Sequence, residues 1–283
     1  MTNHNFNDLR DKVCIITGGA GVIGAAMTKV LAAAGVKVVI LDLREDVASA
    51  LAEELTSNFG NENMGLAANV LNRESLEVAR IKILDRFGTI DILINGAGGN
   101  SPEATTQLEQ LTNENIGSLE DGFFGLKIEG FQKVFDLNFM GTLLPTMVFA
   151  EEMVRKGAGS IVNISSMNSY KPLTKIPAYS AAKAAINNFT EWLAVHFAKT
   201  GVRVNAIAPG FFLTNQNRFL LIDEKTGDLT ARGNRIISNT PMGKFGEPED
   251  LQGTLLYLIS DISSFITGIV IPVDGGYSAF GGV

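Results

Sequence analysis

Short runs rich in Val, Ile and Leu recur along the chain, each followed by a glycine-bearing turn and then an alanine-rich stretch with helical spacing. Residues 13–17, 36–41, 90–95, 160–164 and 202–207 are apolar at successive rather than alternate positions, the pattern of strands covered on both faces. Between them, 22–34, 44–58, 72–87, 131–155, 178–199 and 248–260 predict helices, with Asn72 suited to an N-cap and Pro248 to a first helical position. Residues 268–273 add a late strand. Strand followed by helix, repeated six or seven times, specifies an α/β fold: a single doubly wound parallel sheet of the Rossmann type, with helices on both faces. No linker, internal repeat or low-complexity tract divides the chain, so 1–283 reads as one domain. Two segments, at about 100–130 and 211–247, break the alternation. Each leaves the carboxyl end of a predicted strand, where open α/β sheets bind ligands, so they read as binding loops or as plain surface insertions.

Charge narrows the partners. Thirty acidic against 23 basic residues give a net charge of −7, so the chain lacks the basic field that a phosphate backbone demands. No uninterrupted apolar run is long enough to cross a membrane. The single cysteine, Cys14, forbids an intramolecular disulfide, and the polar start Met1-Thr2-Asn3-His4-Asn5 has no apolar signal core. A cytoplasmic protein acting on a small molecule is the expectation, with no nucleic acid and no membrane partner.

The first candidate chemistry follows the first strand. In Thr17-Gly18-Gly19-Ala20-Gly21-Val22-Ile23-Gly24 the spacing Gly19-x-Gly21-x-x-Gly24 opens a helix, the context in which glycine lets backbone approach a pyrophosphate and free N–H groups hold its charge. Asp42 ends the second strand, eighteen residues beyond Gly24, about where a carboxylate reaches the adenosine ribose hydroxyls. It would repel a 2′-phosphate, which favours NAD over NADP, although Arg44 two residues on would offset part of that repulsion.

A second constellation lies further on: Ser166, Tyr179 and Lys183. The step of four puts Tyr179 and Lys183 on one helix face. A phenol with an ordinary pKa of about 10 is a poor acid–base catalyst at neutral pH, and a neighbouring ammonium is expected to lower it. Ser166, just past a strand end, is placed to hydrogen-bond a substrate oxygen.

Taken in order, these motifs resemble those of the short-chain dehydrogenase/reductase family over nearly the whole chain: Thr17–Gly24, Asn95-Gly96-Ala97-Gly98, Asn138, Ser166, Tyr179-x-x-x-Lys183, Pro209-Gly210 and Val273-Asp274-Gly275-Gly276. The resemblance implies that Tyr179 is the general acid–base, that Ser166 orients the carbonyl, and that Lys183 binds the nicotinamide ribose and tunes Tyr179. Asn138 would hold a water linking Lys183 to a proton relay. It further implies cofactor contacts from Gly18, Gly21, Val22, Ile23, Gly24, Asp42, Asn69, Val70, Asn95, Ala97, Gly98, Pro209, Gly210 and Phe212, with Thr214 at the nicotinamide carboxamide. Three positions depart from the family pattern. Val22 stands at the middle glycine, Gly96 replaces the second asparagine of Asn-Asn-Ala-Gly, and Asn69 replaces the aspartate that meets the adenine amino group, where its amide oxygen can still accept.

Within the family, the stretches Asn95–Asn100, Phe135–Phe139, Ser165–Asn168, Pro172–Tyr179 and Pro209–Arg218, with the Gly281-Gly282-Val283 end, are most similar to the D-mannonate oxidoreductases, or fructuronate reductases. That likeness implies a keto- and hydroxy-hexonate pair and a homotetramer assembled through the two long helices. An anionic, hydroxyl-covered substrate wants a cation and several amides. Asn100, Asn168, Lys175, Asn217 and Arg218 fall in loops at the predicted catalytic edge, with Lys175 or Arg218 the candidate for the carboxylate and Lys171 and Arg232 weaker ones. Gluconate, polyol and 3-oxoacyl reductases share parts of these motifs, and a non-catalytic dinucleotide sensor is the alternative of another class. His196 reads as a residue packed in a helix bundle or subunit contact, Cys14 as core and Asp274 as a turn, and no metal site is indicated.

Overall fold

The computed structural model describes residues 5–214 and 217–282. Seven parallel strands form one sheet in the order β3-β2-β1-β4-β5-β6-β7, with β1 Val13–Thr17, β2 Lys37–Asp42, β3 Met64–Ala67, β4 Ile92–Asn95, β5 Gly159–Ile164, β6 Val202–Pro209 and β7 Val270–Val273. The period-two geometry of a strand divides the apolar residues between two layers. Cys14, Ile16, Val38 and Ile40 pack with α1 (Val22–Ala33), α2 (Glu45–Phe59) and α9 (Gln252–Ile259). Val13, Ile15, Val39 and Leu41 face the other way, onto α3 (Arg73–Phe87), α5 (Gly141–Lys156) and α6 (Pro177–Phe197). Both faces are covered, which is why the strands carry no polar alternation. Cys14 is fully buried, as its place in β1 requires.

The helices begin and end where their sequences change. Asn72 caps α3, its side chain accepting from Ser75 N–H at 2.9 Å. Gly88 ends it in the left-handed region at φ 72°, a conformation that costs glycine least.

Three elements differ from expectation. Strand β3 is not evident in the sequence because Gly65 interrupts it, and the reason is packing: a Cβ at Gly65 would collide with the backbone of Ala48 and Ser49 in α2. The single helix expected over 131–155 is α4 (Ile128–Phe135), a π-turn over Asp136–Met140, and then α5. The stretch 248–260 opens with a 3₁₀ turn, Pro248–Leu251, closed by a reciprocal Glu247–Asp250 capping box, before α9.

The order of strands reverses between β1 and β4: β1 leads to β2 and β3 on one side, and β4 begins the other. Ligands bind outside the carboxyl ends of the strands at such a reversal. Among the described residues no helix is long and apolar enough to cross a membrane.

Candidate active site

A cavity of about 810 Å³ opens at that switch point. One wall is the turn between β1 and α1, lined by Gly18, Gly21, Val22, Ile23 and Gly24. Gly18 holds φ +64°, its N–H donating to Leu41 O at 2.8 Å and its carbonyl accepting from Gly21 N–H at 3.1 Å. Gly21 is the N-cap of α1 and supplies no side-chain hydrogen bond, so the first-turn N–H groups and the positive helix end are left for an anion. A Cβ at Gly24 would overlap the Gly18 carbonyl oxygen and stand 2.8 Å from Gly19 Cα. Thr17 fastens this turn to the next one, its hydroxyl accepting from the N–H groups of Gly96 (3.1 Å) and Ala97 (3.2 Å). Thr17 was not among the expected site residues. A hydroxyl ending a strand directly before a glycine turn is the signal that could have found it.

Asp42, at the end of β2, also lines the cavity, and its side chain accepts from Arg44 N–H at 3.4 Å. Asn69 and Val70 follow β3 and lie on the same wall. The Asn69 amide oxygen, expected to meet adenine, already accepts from Leu71 N–H at 2.9 Å and so has one lone pair to offer. Leu41, Leu43, Ala68 and Leu71 complete an apolar slot around it that the motifs did not indicate. A carboxylate beside bare helix N–H groups, with glycine wherever a side chain would intrude, fits a dinucleotide without a 2′-phosphate. Asn95, expected against the cofactor, is instead turned inward. It is buried behind the wall, its Nδ2 donating to Thr146 Oγ1 (2.9 Å) and Asn163 Oδ1 (2.8 Å).

Gly96, Ala97, Gly98, Ile164, Ser165, Ser166, Tyr179, Lys183, Pro209, Gly210, Phe212 and Thr214 form the other wall. Ser166 caps a 3₁₀ turn, Met167–Ser169, and its Oγ accepts from Asn168 N–H at 3.2 Å. With that lone pair used, the hydroxyl proton is free to point at Tyr179 or a substrate oxygen. Tyr179 and Lys183 lie one turn apart on α6, with Lys183 Nζ 5.6 Å from the centre of the Tyr179 ring and donating to Ile164 O at 2.7 Å.

Burial pushes the Tyr179 phenol above its ordinary value, and its hydrogen bond with Ser166 opposes this only in part. Burial brings the Lys183 amine down to about 7. The expected lowering of Tyr179 by Lys183 is therefore absent from this arrangement. The amine sits over the ring face rather than at the hydroxyl, and desolvation penalises the charged form of both groups.

Asn138 lies fully buried in the π-turn, just behind this wall. Its Nδ2 donates to Gly99 O and Val134 O, both at 2.7 Å, while Oδ1 accepts from Gly99 N–H at 3.2 Å. The amide thus clamps the turn after β4. A Cβ on Gly98 would come within 2.7 Å of Asn138 Oδ1 and 3.2 Å of Lys183 Nζ, so Gly98 lets the three meet.

The candidate substrate residues divide. Asn217 lines the cavity, but its side chain closes its own turn, accepting from Thr214 N–H at 2.9 Å and donating to Phe212 O at 2.8 Å. Asn100 is exposed and donates to Thr105 Oγ1 at 3.0 Å. Asn168 is buried beneath Ser166. The carbonyl of Lys175 accepts from Thr106 N–H at 3.0 Å, which ties its loop to the inserted segment. Arg218 starts the short helix α7 (Arg218–Leu221) and is exposed. Lys171 donates to Phe280 O, and neither Lys175 nor Arg218 forms an ion pair among the described residues. His196, expected in a helix bundle or a subunit contact, is exposed on this chain and stacked on Trp192 at 4.8 Å. Asp274 closes a turn by accepting from Gly276 and Ser278 N–H. Asn215 and Gln216, part of the polar run before Arg218, lie outside the described residues.

Comparison with known proteins gives the same frame. A family model described as enoyl-(acyl carrier protein) reductase matches residues 18–278. The chain is 51% identical over 277 residues to the uncharacterized oxidoreductase UxuB of Bacillus subtilis, covering 98% of each. It is 50% identical to an uncharacterized oxidoreductase of Haemophilus influenzae, covering 99% of this chain and 97% of the relative. A solved Haemophilus structure with bound NAD, provisionally named a D-mannonate oxidoreductase, superposes with a TM-score of 0.92 at 49% identity, covering 99% of this chain and 100% of that one.

Proposed function

The chain belongs to the short-chain dehydrogenase/reductase family, and we propose that within it the protein is an NAD(H)-dependent oxidoreductase interconverting D-fructuronate and D-mannonate. The observation that carries the reaction type is the meeting of Ser166, Tyr179 and Lys183 on the wall of the cavity that the glycine turn and Asp42 also line. The similarity to a structure provisionally named a D-mannonate oxidoreductase with bound NAD supports the substrate and the cofactor.

When bound, the nicotinamide supplies or accepts the hydride. The chain does the rest. Gly18, Gly21 and Gly24 hold the pyrophosphate against α1, and Asp42 takes the adenosine ribose hydroxyls. In the reducing direction, Ser166 donates to the substrate carbonyl oxygen and Tyr179 delivers its phenolic proton to that same oxygen as the alcohol forms. Lys183 holds the second ribose beside Tyr179, and charge brought to the site offsets the burial that keeps the phenol protonated. Asn138 keeps the Gly98–Gly99 turn open to that ribose and supports a water-linked path for replacing the proton. Lys175 or Arg218 reads the carboxylate; Arg218 directly follows Asn217, which lines the cavity, and the guanidinium has the bidentate fit. The reading includes a homotetramer formed through α5 and α6, whose outer faces leave Met147, Trp192 and Val195 half or more exposed.

Absorbance in the NADH band during turnover of a panel of substrates tests this. D-Fructuronate and D-mannonate should turn over with NAD(H) far faster than polyols, gluconate or 3-oxoacyl thioesters. A preference for any of the latter, or binding of NADH with no turnover of the whole panel, would replace the reading with another reductase or a dinucleotide sensor.

A further inference from the structure

We propose that Asn187 is a positioning residue for the reaction: from α6 it grips both flanks of Ser166 and keeps the Ser166 hydroxyl in register with Tyr179 on the same helix; this rests on the reading of Ser166 and Tyr179 given above. The sheet holds this stretch through Ser165, whose N–H donates to Ile207 O at 2.8 Å. Ser166 and the 3₁₀ turn Met167–Ser169 then lead away from β5, and side chains take over. Ser165 Oγ donates to Asn187 Oδ1 and, at 3.3 Å, to Lys183 O. Asn187 Nδ2 donates to Ser169 Oγ (2.8 Å), which donates in turn to Ser166 O (2.6 Å). One amide thus holds the residue before Ser166 and the residue three after it.

The direction of each bond is set by its neighbour. Ser166 O can only accept, so the Ser169 hydroxyl donates to it and is left to accept from Asn187; the amide nitrogen is therefore on that side, and its oxygen faces Ser165. Asn187 follows Tyr179 by eight residues and Lys183 by four, on the same face of α6. The acid–base residue and the holder of its neighbouring hydroxyl are fixed to one rigid element. Asn187 does not itself line the cavity, so its effect on the reaction passes through Ser166. That effect depends on distance: the Ser166 hydroxyl must reach both Tyr179 and the carbonyl oxygen, and a misplacement of about 1 Å at such a point can cost about 10²-fold. The hydrogen bond with Ser166 also draws the Tyr179 phenol down against its burial. A Ser166 that drifts returns the phenol toward its higher, buried value.

The test compares kcat and KM for D-mannonate oxidation with NAD, across pH, for Asn187→Leu and Asn187→Ala, each made in the native background and beside Ser166→Ala, with NADH binding followed by fluorescence. Leucine keeps the branched shape and alanine leaves space; either one suffices if the other fails to fold. In the native background kcat should fall by about 3- to 10-fold, the contribution of one hydrogen bond, with KM and NADH binding as in wild type. Oxidation needs the phenolate, so kcat rises with pH as Tyr179 loses its proton. The midpoint of that rise should move to higher pH, the direction expected of Ser166→Ala itself; Lys183, the titratable group over the ring, is the same in every variant. Once Ser166 is alanine, the Asn187 substitutions should change neither kcat nor midpoint, because a residue acting through that hydroxyl has nothing left to position. An unchanged kcat, equal losses in the two backgrounds, or a loss with the midpoint unmoved would mean that Asn187 merely supports the turn, and the proposal falls while the reading of Ser166 and Tyr179 stands. If Ser166→Ala keeps wild-type kcat, or wild type oxidises no D-mannonate, the reading itself fails and takes the proposal with it.

Discussion

The two ends of the cavity are built from different materials. At the cofactor end, the turn from β1 to α1 is backbone and glycine: Gly18 is hydrogen-bonded to Leu41 and Gly21 through main-chain atoms alone, and no side chain caps α1. At the substrate end, residues 100–127 and the described residues of 211–247 add side-chain tethers to their backbone turns. Thr105 donates to Ser101 O, Asn217 closes the turn at Thr214, Thr230 caps α8 (Ala231–Ser238), and Arg235 reaches across to Glu109 at 2.6 Å. Secondary structure there is short: 3₁₀ turns over Pro102–Ala104, Ile116–Asp121 and Phe123–Gly125, and helices of four and eight residues. A backbone-made site admits few sequences and one ligand shape. A site made of side-chain tethers can be rewritten residue by residue without disturbing the sheet, so specificity belongs there.

Substitutions at the two ends and at the chemistry between them should sort by that difference. The largest effect is expected at the centre: Tyr179→Phe keeps the ring and removes the proton, so kcat should fall by about 10²-fold or more with NADH affinity, read by fluorescence, unchanged. Retention of near wild-type kcat would move the proton to another group. Next comes the cofactor end. Gly24→Ala forces a Cβ into Gly18 and Gly19, and overpacking of this kind costs about 1–3 kcal/mol, visible as a lower denaturation midpoint together with weaker NADH binding. If Gly24→Ala binds NADH as wild type does, the turn is softer than its contacts indicate and the contrast between the two ends dissolves.

At the substrate end the effect should be selective rather than general. If Arg218 or Lys175 reads the carboxylate as proposed, replacing that residue by Met should reduce kcat/KM for the keto acid by about 10- to 150-fold, the loss of one charge-assisted hydrogen bond, while sparing activity on an uncharged ketose of similar shape. Equal losses on both substrates would mean that the cation holds its loop. Asp42→Ala should narrow the preference for NADH over NADPH by removing repulsion of the 2′-phosphate, and a wild type already as efficient with NADPH would break that argument. The smallest effect is expected for Arg235→Met. Its pair with Glu109 is exposed on both sides, such pairs contribute about 1 kcal/mol or less, and the melting temperature should scarcely move; a large drop would show that the two inserted segments stand as one unit.

How far each end could be read in the sequence follows the same division. The sheet was legible because strands covered on both faces must be apolar throughout, and the glycine turn because Gly18 and Gly24 stand where any side chain would collide. Strand β3 was not, since Gly65 was selected by α2 and not by the sheet. The Tyr179–Lys183 step was readable from spacing, but the balance of charge between them was not, because the desolvation of one phenol and one amine depends on what packs around them in space. Asn95 shares a motif with cavity-lining residues yet turns inward, and only the Thr146 and Asn163 partners, 51 and 68 residues away in sequence, decide that.

The π-turn over Asp136–Met140 sets a rotational phase. An α-helix turns by about 100° per residue, so the wider turn fixes the angle at which α5 leaves α4. Val148, Phe149 and Met153 meet the sheet only at that angle. Shortening the turn by one residue would restore a plain helix and swing these three away from the core, while Asn138 would lose its hold on Gly99. The irregularity that positions the Asn138 amide against Gly99 is thus also the gear that sets the core face of the following sixteen residues, and neither can be changed without the other.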